Sequence, residues 1–202
     1  RPPIKVATQR INDTMDNINK DEIIRLTEEY GKQWGINHTR RLLDLIEVIG
    51  KGLEFNQDAI WLAAHLHDWG AYAPWKQEGI DHAVRSKEVA SDFLEKRDYS
   101  QEFKDLVLEC IEYHHSGDPN RSIEAILLSD ADGLDFLGVV GVLRDISKNP
   151  RELRKGYESA KKRKEKVPAM LCLEKSRELA AERIKQMDEL LSTFEKDSFG
   201  YF

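Results

Sequence analysis

The spacing of apolar residues constrains the fold of this chain more than any other feature of its sequence. Apolar positions recur three and four residues apart through most of the 202 residues, as amphipathic helices require. No segment shows the strict alternation of apolar and polar residues between turn residues that is typical of a β-strand. The sequence therefore predicts an all-α fold.

Individual helices can be placed from their apolar stripes and from the residues that begin or end them. Residues 21–34 and 38–49 are predicted as two helices with a break at Gly35. Asn56 is a candidate N-cap for the next helix, which is predicted over residues 57 to about 69. Further helices are predicted over residues 81–97, over 101–115, from 122 onward and over 171–195.

The length of the chain fits one domain, in which we distinguish three parts. Residues 1–18 are predicted to be an N-terminal arm, residues 19–148 the core, and residues 149–202 a C-terminal helical extension packed on that core. Residues 151–166 carry eight basic and three acidic side chains. We interpret this basic segment as a solvated helix face, with a lid that attracts a phosphorylated substrate as the alternative.

The composition of the chain argues against several classes of function. The net charge of −6 argues against a general nucleic-acid binder, whereas a small anionic substrate remains compatible if a metal ion supplies local positive charge. No apolar run approaches the ~18–20 residues of a membrane span, and the first residues show no apolar signal region. The two cysteines are too few for a disulfide framework. We therefore expect a cytoplasmic protein without a nucleic-acid or membrane partner, in which a homodimer is compatible with the sequence.

Two histidines lie on faces that should point inward. His67 shares one helix face with three apolar residues, Ile60, Ala63 and Ala64, and Asp68 follows it directly. His38 heads a stripe that continues with Leu42, Leu45 and Ile49. Burying an imidazole beside a carboxylate is costly unless a partner satisfies both. A divalent metal ion would do so, because histidine and carboxylate side chains are its usual ligands.

Residues 123–128 are almost wholly apolar and lead into Ser129-Asp130-Ala131-Asp132-Gly133-Leu134-Asp135. A run of this kind is predicted to be buried, so it delivers carboxylates into or beside the interior, where an unpaired charge is expensive. Helical periodicity does not choose between Asp130 and Asp132 as a site residue. Asp130 shares a face with Ile123, Ile126 and Leu127, and Asp132 shares one with Ala125 and Leu128.

These segments together resemble the HD superfamily of metal-dependent phosphohydrolases, which is named for its adjacent His-Asp pair. The resemblance rests on a first His that opens a helix, on the Ala-His-Leu-His-Asp segment ending at Asp68, and on the segment from Ser129 to Asp135. It covers most of residues 20–196 and implies a single-domain HD-type helical bundle. The four metal ligands that it implies are His38, His67, Asp68 and Asp132. Asp132 is preferred because the distal ligand of the family usually follows Ala and precedes x-Leu.

The order of the remaining histidines is similar to that of dinuclear members of the superfamily, in which the Asp of the pair bridges two metals. His82 and His114 are thus candidate ligands of a second metal. With a single metal they would instead contact the substrate phosphate or act as the general acid. His115 is interpreted as a structural neighbour of His114.

The activity implied by the resemblance is hydrolysis of a phosphate ester or anhydride of a small molecule, a nucleotide being one candidate. One or two divalent ions per chain would be required, drawn from Mn, Ni, Mg, Co, Zn or Fe, with Asp68, His82 and His114 as catalytic residues. Arg41, Lys87 and Arg144 are candidate substrate contacts that would stabilise the transition state. For Arg41 and Arg144 the alternative is a salt bridge to Asp44, Asp135 or Asp145.

Two other functions are compatible with the same residues. Some dinuclear HD proteins are iron oxygenases, so the chain could oxidise a small polar substrate. A metal-stabilised domain that binds a nucleotide without turnover is the other alternative. The chain lacks the Gly-Tyr-Pro signature of the cyclic-dinucleotide phosphodiesterases in the superfamily, so the resemblance does not extend to their substrates.

Overall fold

The computed structural model describes residues 18–202, which form α-helices and one 3-10 turn and contain no β-strand. The all-α prediction is confirmed, whereas the predicted N-terminal arm lies outside the described residues except for Ile18. None of the helices described combines the length and the apolar character that a membrane crossing requires. In chain order the elements are α1 (Lys20–Ile49), α2 (Gln57–Leu66), a 3-10 turn (Trp69–Ala71), α3 (His82–Glu95), α4 (Gln101–Glu112), α5 (Ile123–Asp135), α6 (Gly138–Ser147), α7 (Leu153–Met170) and α8 (Glu174–Asp197).

The first two predicted helices are one element, α1, with a kink at Lys32, where φ is 54° and ψ is −164°. The predicted break at Gly35 is therefore misplaced by three residues. Gly31 and Gly35 serve a different purpose, because the ring of Tyr72 packs directly against both. A Cβ on Gly31 would lie 2.6 Å from Tyr72 Cζ. His38 consequently lies inside the second half of α1 and does not open a helix.

A short turn follows α2 and sets the direction of the chain after the His-Asp pair. Asn56 caps α2 as predicted, since its Oδ1 accepts a hydrogen bond from Ala59 N at 3.0 Å. The helix ends at Leu66, earlier than predicted, and the 3-10 turn begins at Trp69. Gly70 packs so closely on α3 that a Cβ would clash, and its N–H donates to Ser86 Oγ at 2.9 Å. This contact fixes α3 relative to Asp68.

Helix α5 occupies the centre of the bundle and contacts α1, α2, α4, α6, α7 and α8. Leu127 and Leu128 are fully buried, as the apolar run indicated. The carboxylate of Asp130 accepts hydrogen bonds from Cys172 N and Leu173 N, both at 2.9 Å. These two N–H groups immediately precede α8, so Asp130 ties the C-terminal helix to the core. Its role is therefore structural, which leaves Asp132 for the site.

The C-terminal helices pack on the rest of the bundle. Ala180, Met187 and Leu191 of α8 join the same buried cluster as the core residues of α1 to α5. Helix α7 buries Ala160 and Val167 but leaves most of its basic side chains at the surface. Helices α6 and α7 were not placed as separate elements from the sequence. Together they cover one side of the end of α5 where Asp132 and Asp135 lie.

Candidate metal centre

The four predicted metal ligands come from three parts of the chain and meet at one place. His38 lies on α1, His67 and Asp68 follow α2, and Asp132 lies on α5. His38 Nε2 is 3.1 Å from Asp132 Oδ1 and 3.8 Å from Asp68 Oδ2. His67 Nε2 is 3.6 Å from the same Asp68 oxygen. The two imidazoles and two carboxylates thus face one another across a space that one cation could fill.

The buried histidines of this cluster each use Nδ1 in a hydrogen bond that points away from its centre. His67 Nδ1 donates to Ala64 O at 2.9 Å, and His114 Nδ1 donates to Ile111 O at 2.6 Å. His38 Nδ1 lies 2.7 Å from Asp135 Oδ2, which acts as the acceptor. Because a carbonyl or carboxylate can only accept, the proton of each neutral ring is on Nδ1. In its neutral form, each ring therefore presents an Nε2 lone pair to the centre of the cluster.

Those lone pairs are left without a partner. The Nε2 atoms of His38, His67 and His114 are buried and make no hydrogen bond of acceptable geometry with any described residue. Lone pairs and carboxylate oxygens that face one another repel unless a proton or a cation lies between them. The donor set therefore fits a divalent metal ion.

The ionisation of the cluster agrees with this fit. Burial lowers the pKa of His67, and it lowers the pKa of His114 to about 3, so both imidazoles are neutral at pH 7. Burial alone would raise the pKa of Asp132, but the nearby imidazoles of His115 and His38 hold it well below the usual range. For His38, burial is outweighed by the carboxylates of Asp132 and Asp135, which raise its pKa to about 9. A proton thus occupies His38 when no metal is bound, and metal and proton compete for it.

A second group of donors adjoins the first. Ligand atoms of His82, His114 and His115 lie within 4.8 Å of one another. His82 Nε2 is 3.7 Å from Asp68 Oδ1, and His115 Nε2 is 3.2 Å from Asp132 Oδ2. Asp68 and Asp132 thus lie between the two groups, so the arrangement has donors for one or two cations. The sequence pointed to His82 and His114, whereas His115, interpreted only as a neighbour, is the additional member.

Asp135 supports the centre from behind, a role that the sequence analysis did not assign to it. Its carboxylate accepts from His38 Nδ1 and from Arg41 Nε and Nη2, at 2.6 and 2.9 Å. Arg144 Nη1 also donates to it. The carboxylate fixes the ring orientation of His38, and the two guanidinium groups keep that carboxylate ionised and in place.

The candidate substrate contacts are placed differently from one another. Arg41 pairs with Asp135, as the salt-bridge alternative proposed, and Lys87 Nζ lies 2.6 Å from Glu112 Oε2. Neither residue lines the two cavities that open onto the centre. Arg144 pairs with Asp135 and also lines one of these cavities. The geometry therefore supports a direct contact between Arg144 and substrate. For Arg41 and Lys87 such a contact stays a prediction that the geometry does not support.

Two cavities meet at the candidate centre, and His115, Asp132, Phe136 and Arg163 line both. The polar cavity, of about 560 Å³, is lined by Asp68 and His82 and extends to a largely polar wall formed by Trp34, Lys76, Arg144 and Lys148. The α7 cavity, of about 370 Å³, lies between α5 and α7 and is also lined by Lys162, Lys166, Val167, Met170 and Leu171. Both volumes fall in the range typical of small-molecule sites.

Comparisons with known proteins agree with this architecture. The HD domain family matches residues 35–137, a span that contains all four predicted ligands and His82, His114 and His115. Comparison with curated proteins gives no match. A predicted HD superfamily hydrolase from an uncultured Thermotogales bacterium is similar in structure, with a TM-score of 0.64 and 24% identity over 88% of this chain and 91% of the other.

Two further solved structures have the same fold. Bacillus subtilis YpgQ, solved in complex with ADP, gives a TM-score of 0.68 at 23% identity over 88% of this chain and 93% of its own. An HD-superfamily hydrolase from Bacillus thuringiensis gives 0.66 at 21% identity over 88% and 95%. At these identities the similarity shows a shared fold.

Proposed function

Because the chain belongs to the HD domain family, we propose that it is a metal-dependent phosphohydrolase that cleaves a phosphate ester or anhydride of a small molecule. The observation that carries the proposal is the convergence of His38, His67, Asp68 and Asp132, in which the buried Nε2 atoms of both imidazoles lie near carboxylate oxygens and make no hydrogen bond. A divalent metal bound there supplies Lewis acidity, which activates water at neutral pH and polarises a phosphoryl oxygen.

Basic side chains around the polar cavity would hold the substrate phosphate. Lys76, Arg144, Lys148 and Arg163 all line that cavity, close to the carboxylates of the centre. Lys148 lies 5.7 Å from the centroid of Trp34 and 5.6 Å from that of Phe136, which position its ammonium group between two rings. Cations that line this cavity would stabilise the negative charge that develops on the transferring phosphoryl group, which would lower the barrier electrostatically.

The exposure and charge of the histidines indicate which of them would donate a proton to the leaving group. His114 is a poor acid because burial lowers its pKa to about 3 and its Nδ1 proton is held by Ile111 O. His82 and His115 line the polar cavity and are more accessible. Burial alone would lower the pKa of His115, but the Asp132 carboxylate raises it, which favours the protonated form of this imidazole. With one metal bound, His82 or His115 would protonate the leaving oxygen.

The assay is metal-dependent phosphate release by the full chain, measured across phosphomonoesters, phosphodiesters and nucleotides with added Mn²⁺, Ni²⁺ or Mg²⁺. Nucleotides belong in the panel because YpgQ, which shares the fold, binds ADP. We expect His67→Ala and Asp68→Asn to abolish both metal binding and turnover. Asp58→Asn is the matched control, since Asp58 is an exposed carboxylate paired with Lys20. Full turnover by the metal-free His67→Ala/Asp68→Asn protein would contradict the proposal.

The second donor group favours one alternative, a dinuclear iron oxygenase acting on a small polar substrate. His82, His114 and His115 could hold a second ion next to the first. Two irons per chain, with oxygen consumption and no phosphate release, would support this alternative. Phosphate release with a redox-inactive metal would exclude it as the main activity.

A further inference from the structure

The basic segment predicted from the sequence forms one wall of the α7 cavity. Ser159, Lys162, Arg163 and Lys166 recur at the spacing of one helix face and line this cavity together. The opposite wall comes from α5 through Ser129, Asp132 and Gly133. His114, His115 and Asp132 also line the cavity, so the basic face of α7 shares this cavity with residues of the candidate metal centre.

Most basic side chains of this segment have partners that account for them structurally. Lys155 pairs with Glu152, Arg163 with Asp145 and Lys164 with Asp188. Arg154 donates to the carbonyl oxygens of Gly200 and Phe202, and Lys161 lies over the ring of Tyr157.

Lys162 and Lys166 differ from these residues. Neither has an anionic partner among residues 18–202, both are exposed, and both line the cavity. Like charges four residues apart on one helix face repel each other mildly, a cost that a bound anion would reduce. The pair can therefore receive an anionic group in the cavity.

Two sets of lining residues give the α7 cavity two kinds of surface: the side chains of Lys162 and Lys166, called the rim here, and an apolar set, called the floor. Phe136, Val167, Met170 and Leu171 give it an apolar surface. Gly133 lets α7 approach, since a Cβ there would lie 3.2 Å from Val167 Cγ1. An apolar floor does not stabilise inorganic phosphate, but it does bind the face of an organic group. Rim and floor together fit a molecule that carries both.

We propose that the α7 cavity binds the part of the substrate remote from the phosphate that is cleaved. That part is an apolar-faced organic group linked to at least one further phosphate, with the organic group on the floor and the further phosphate between Lys162 and Lys166. The inference rests on the proposed function, because it takes the scissile phosphate to lie at the candidate metal centre. It makes α7 the element that selects organic polyphosphates over monophosphates.

The test measures binding by calorimetry to the full chain with Mn²⁺ present, at low ionic strength. The probes are α,β-methylene ADP, AMP and inorganic tripolyphosphate. Lys162→Ala/Lys166→Ala should bind the ADP analogue about tenfold more weakly, and AMP with less than about a threefold change, because each exposed charge pair changes affinity by only about two- to fivefold. Lys155→Ala/Lys161→Ala removes the same charge from the same helix outside the cavity and should bind all three probes as the unmodified chain does.

A second variant blocks access to the floor from the wall formed by α7. Ser159→Trp should fill the cavity and weaken both nucleotide probes at least about tenfold while leaving tripolyphosphate within about threefold. Circular dichroism and the melting temperature establish that each variant is folded. Equal affinities of the two double-lysine variants for the ADP analogue would overturn the assignment of the rim. An unchanged nucleotide affinity in a folded Ser159→Trp variant would overturn that of the floor.

Hydrolysis assays on the same proteins separate this inference from the proposed function. Lysine-dependent binding of the ADP analogue without turnover of any substrate would support the subsite and contradict the phosphohydrolase. Metal-dependent turnover with unchanged selectivity between diphosphate and monophosphate in Lys162→Ala/Lys166→Ala would support the enzyme and contradict the subsite.

Discussion

Replacing Asp135 by Asn should weaken metal binding although Asp135 faces away from the candidate metal centre. The carboxylate accepts from His38 Nδ1 at 2.7 Å, and the side chain is 1% exposed. Asn has nearly the same shape but carries no charge, and its amide can turn an N–H towards His38. The imidazole then loses both its fixed orientation and the anion that increases its basicity.

The magnitude follows from the kind of contact. Loss of a carboxylate that orients a histidine ligand typically costs about 10- to 100-fold in metal affinity, or about 1.4–2.7 kcal/mol. Stability should also fall, because the buried guanidinium of Arg144 loses its carboxylate partner, and breaking a buried pair costs about 3–5 kcal/mol. The amide oxygen retains part of the contact, so we expect the lower end of that range.

The assay is competition between the protein and a chromogenic chelator for Mn²⁺, at a temperature where circular dichroism shows the variant folded. Asp130→Asn is the matched control, since Asp130 is also buried on α5 but bonds Cys172 N and Leu173 N. That variant should lose stability and keep its metal affinity. Folded Asp135→Asn with unchanged affinity, or an equal loss in Asp130→Asn, would refute the reasoning.

Three further predictions concern the scaffold. Gly31→Ala should lower the free energy of unfolding by about 1–3 kcal/mol because the new Cβ meets the ring of Tyr72. If denaturant unfolding gives an unchanged free energy, the ring of Tyr72 can move aside. Lys32→Gly should raise the stability by about 1 kcal/mol by relieving a backbone conformation at φ 54° and ψ −164°, whereas a lower melting temperature would contradict the kink. Burial lowers the pKa of His65 to about 4 from 6.5, so unfolded chains bind its proton more tightly and stability falls as the pH drops through that window. Between pH 7 and pH 5, the free energy of unfolding of His65→Gln should therefore fall by about 2 kcal/mol less than that of the unmodified chain. Equal decreases for both proteins, measured by urea unfolding, would contradict the lowered pKa of His65.

The fold class and the segments that meet at the candidate metal centre were accessible to sequence analysis because both depend on local pattern. Apolar residues at helical spacing define the helices whatever their partners are. The motifs around the predicted ligands resemble one superfamily, and the family match covers all of these ligands: His38, His67, Asp68 and Asp132. The helix from residue 57 was anchored by Asn56, a cap that acts within three residues of itself.

The features that were missed depend on contacts between distant parts of the chain. Asp135 was named only as a possible salt-bridge partner of Arg41 or Arg144, and its contact with His38, 97 residues away, has no local signal in the sequence. His115 follows a buried histidine, and only the position of Asp132 shows that it points to the same centre. The break at Lys32 was placed at Gly35 because glycine usually ends a helix, whereas here it makes room for Tyr72.

The choice between Asp130 and Asp132 shows the same limit more sharply. Periodicity left both open, because each shares a face with apolar residues of a helix that is buried all round. The structure separates them by their partners, the N–H groups before α8 for Asp130 and two imidazoles for Asp132. Only the packing of the C-terminal helix against α5 makes that difference.

Anomalous diffraction from crystals grown with Mn²⁺ and recorded at the manganese edge tests the central claim most directly. We expect a peak within bonding distance of His38 Nε2, His67 Nε2 and oxygens of Asp68 and Asp132, with His82, His114 and His115 around any second peak. A metal bound elsewhere on the chain, or no peak between these side chains at a saturating concentration, would contradict it.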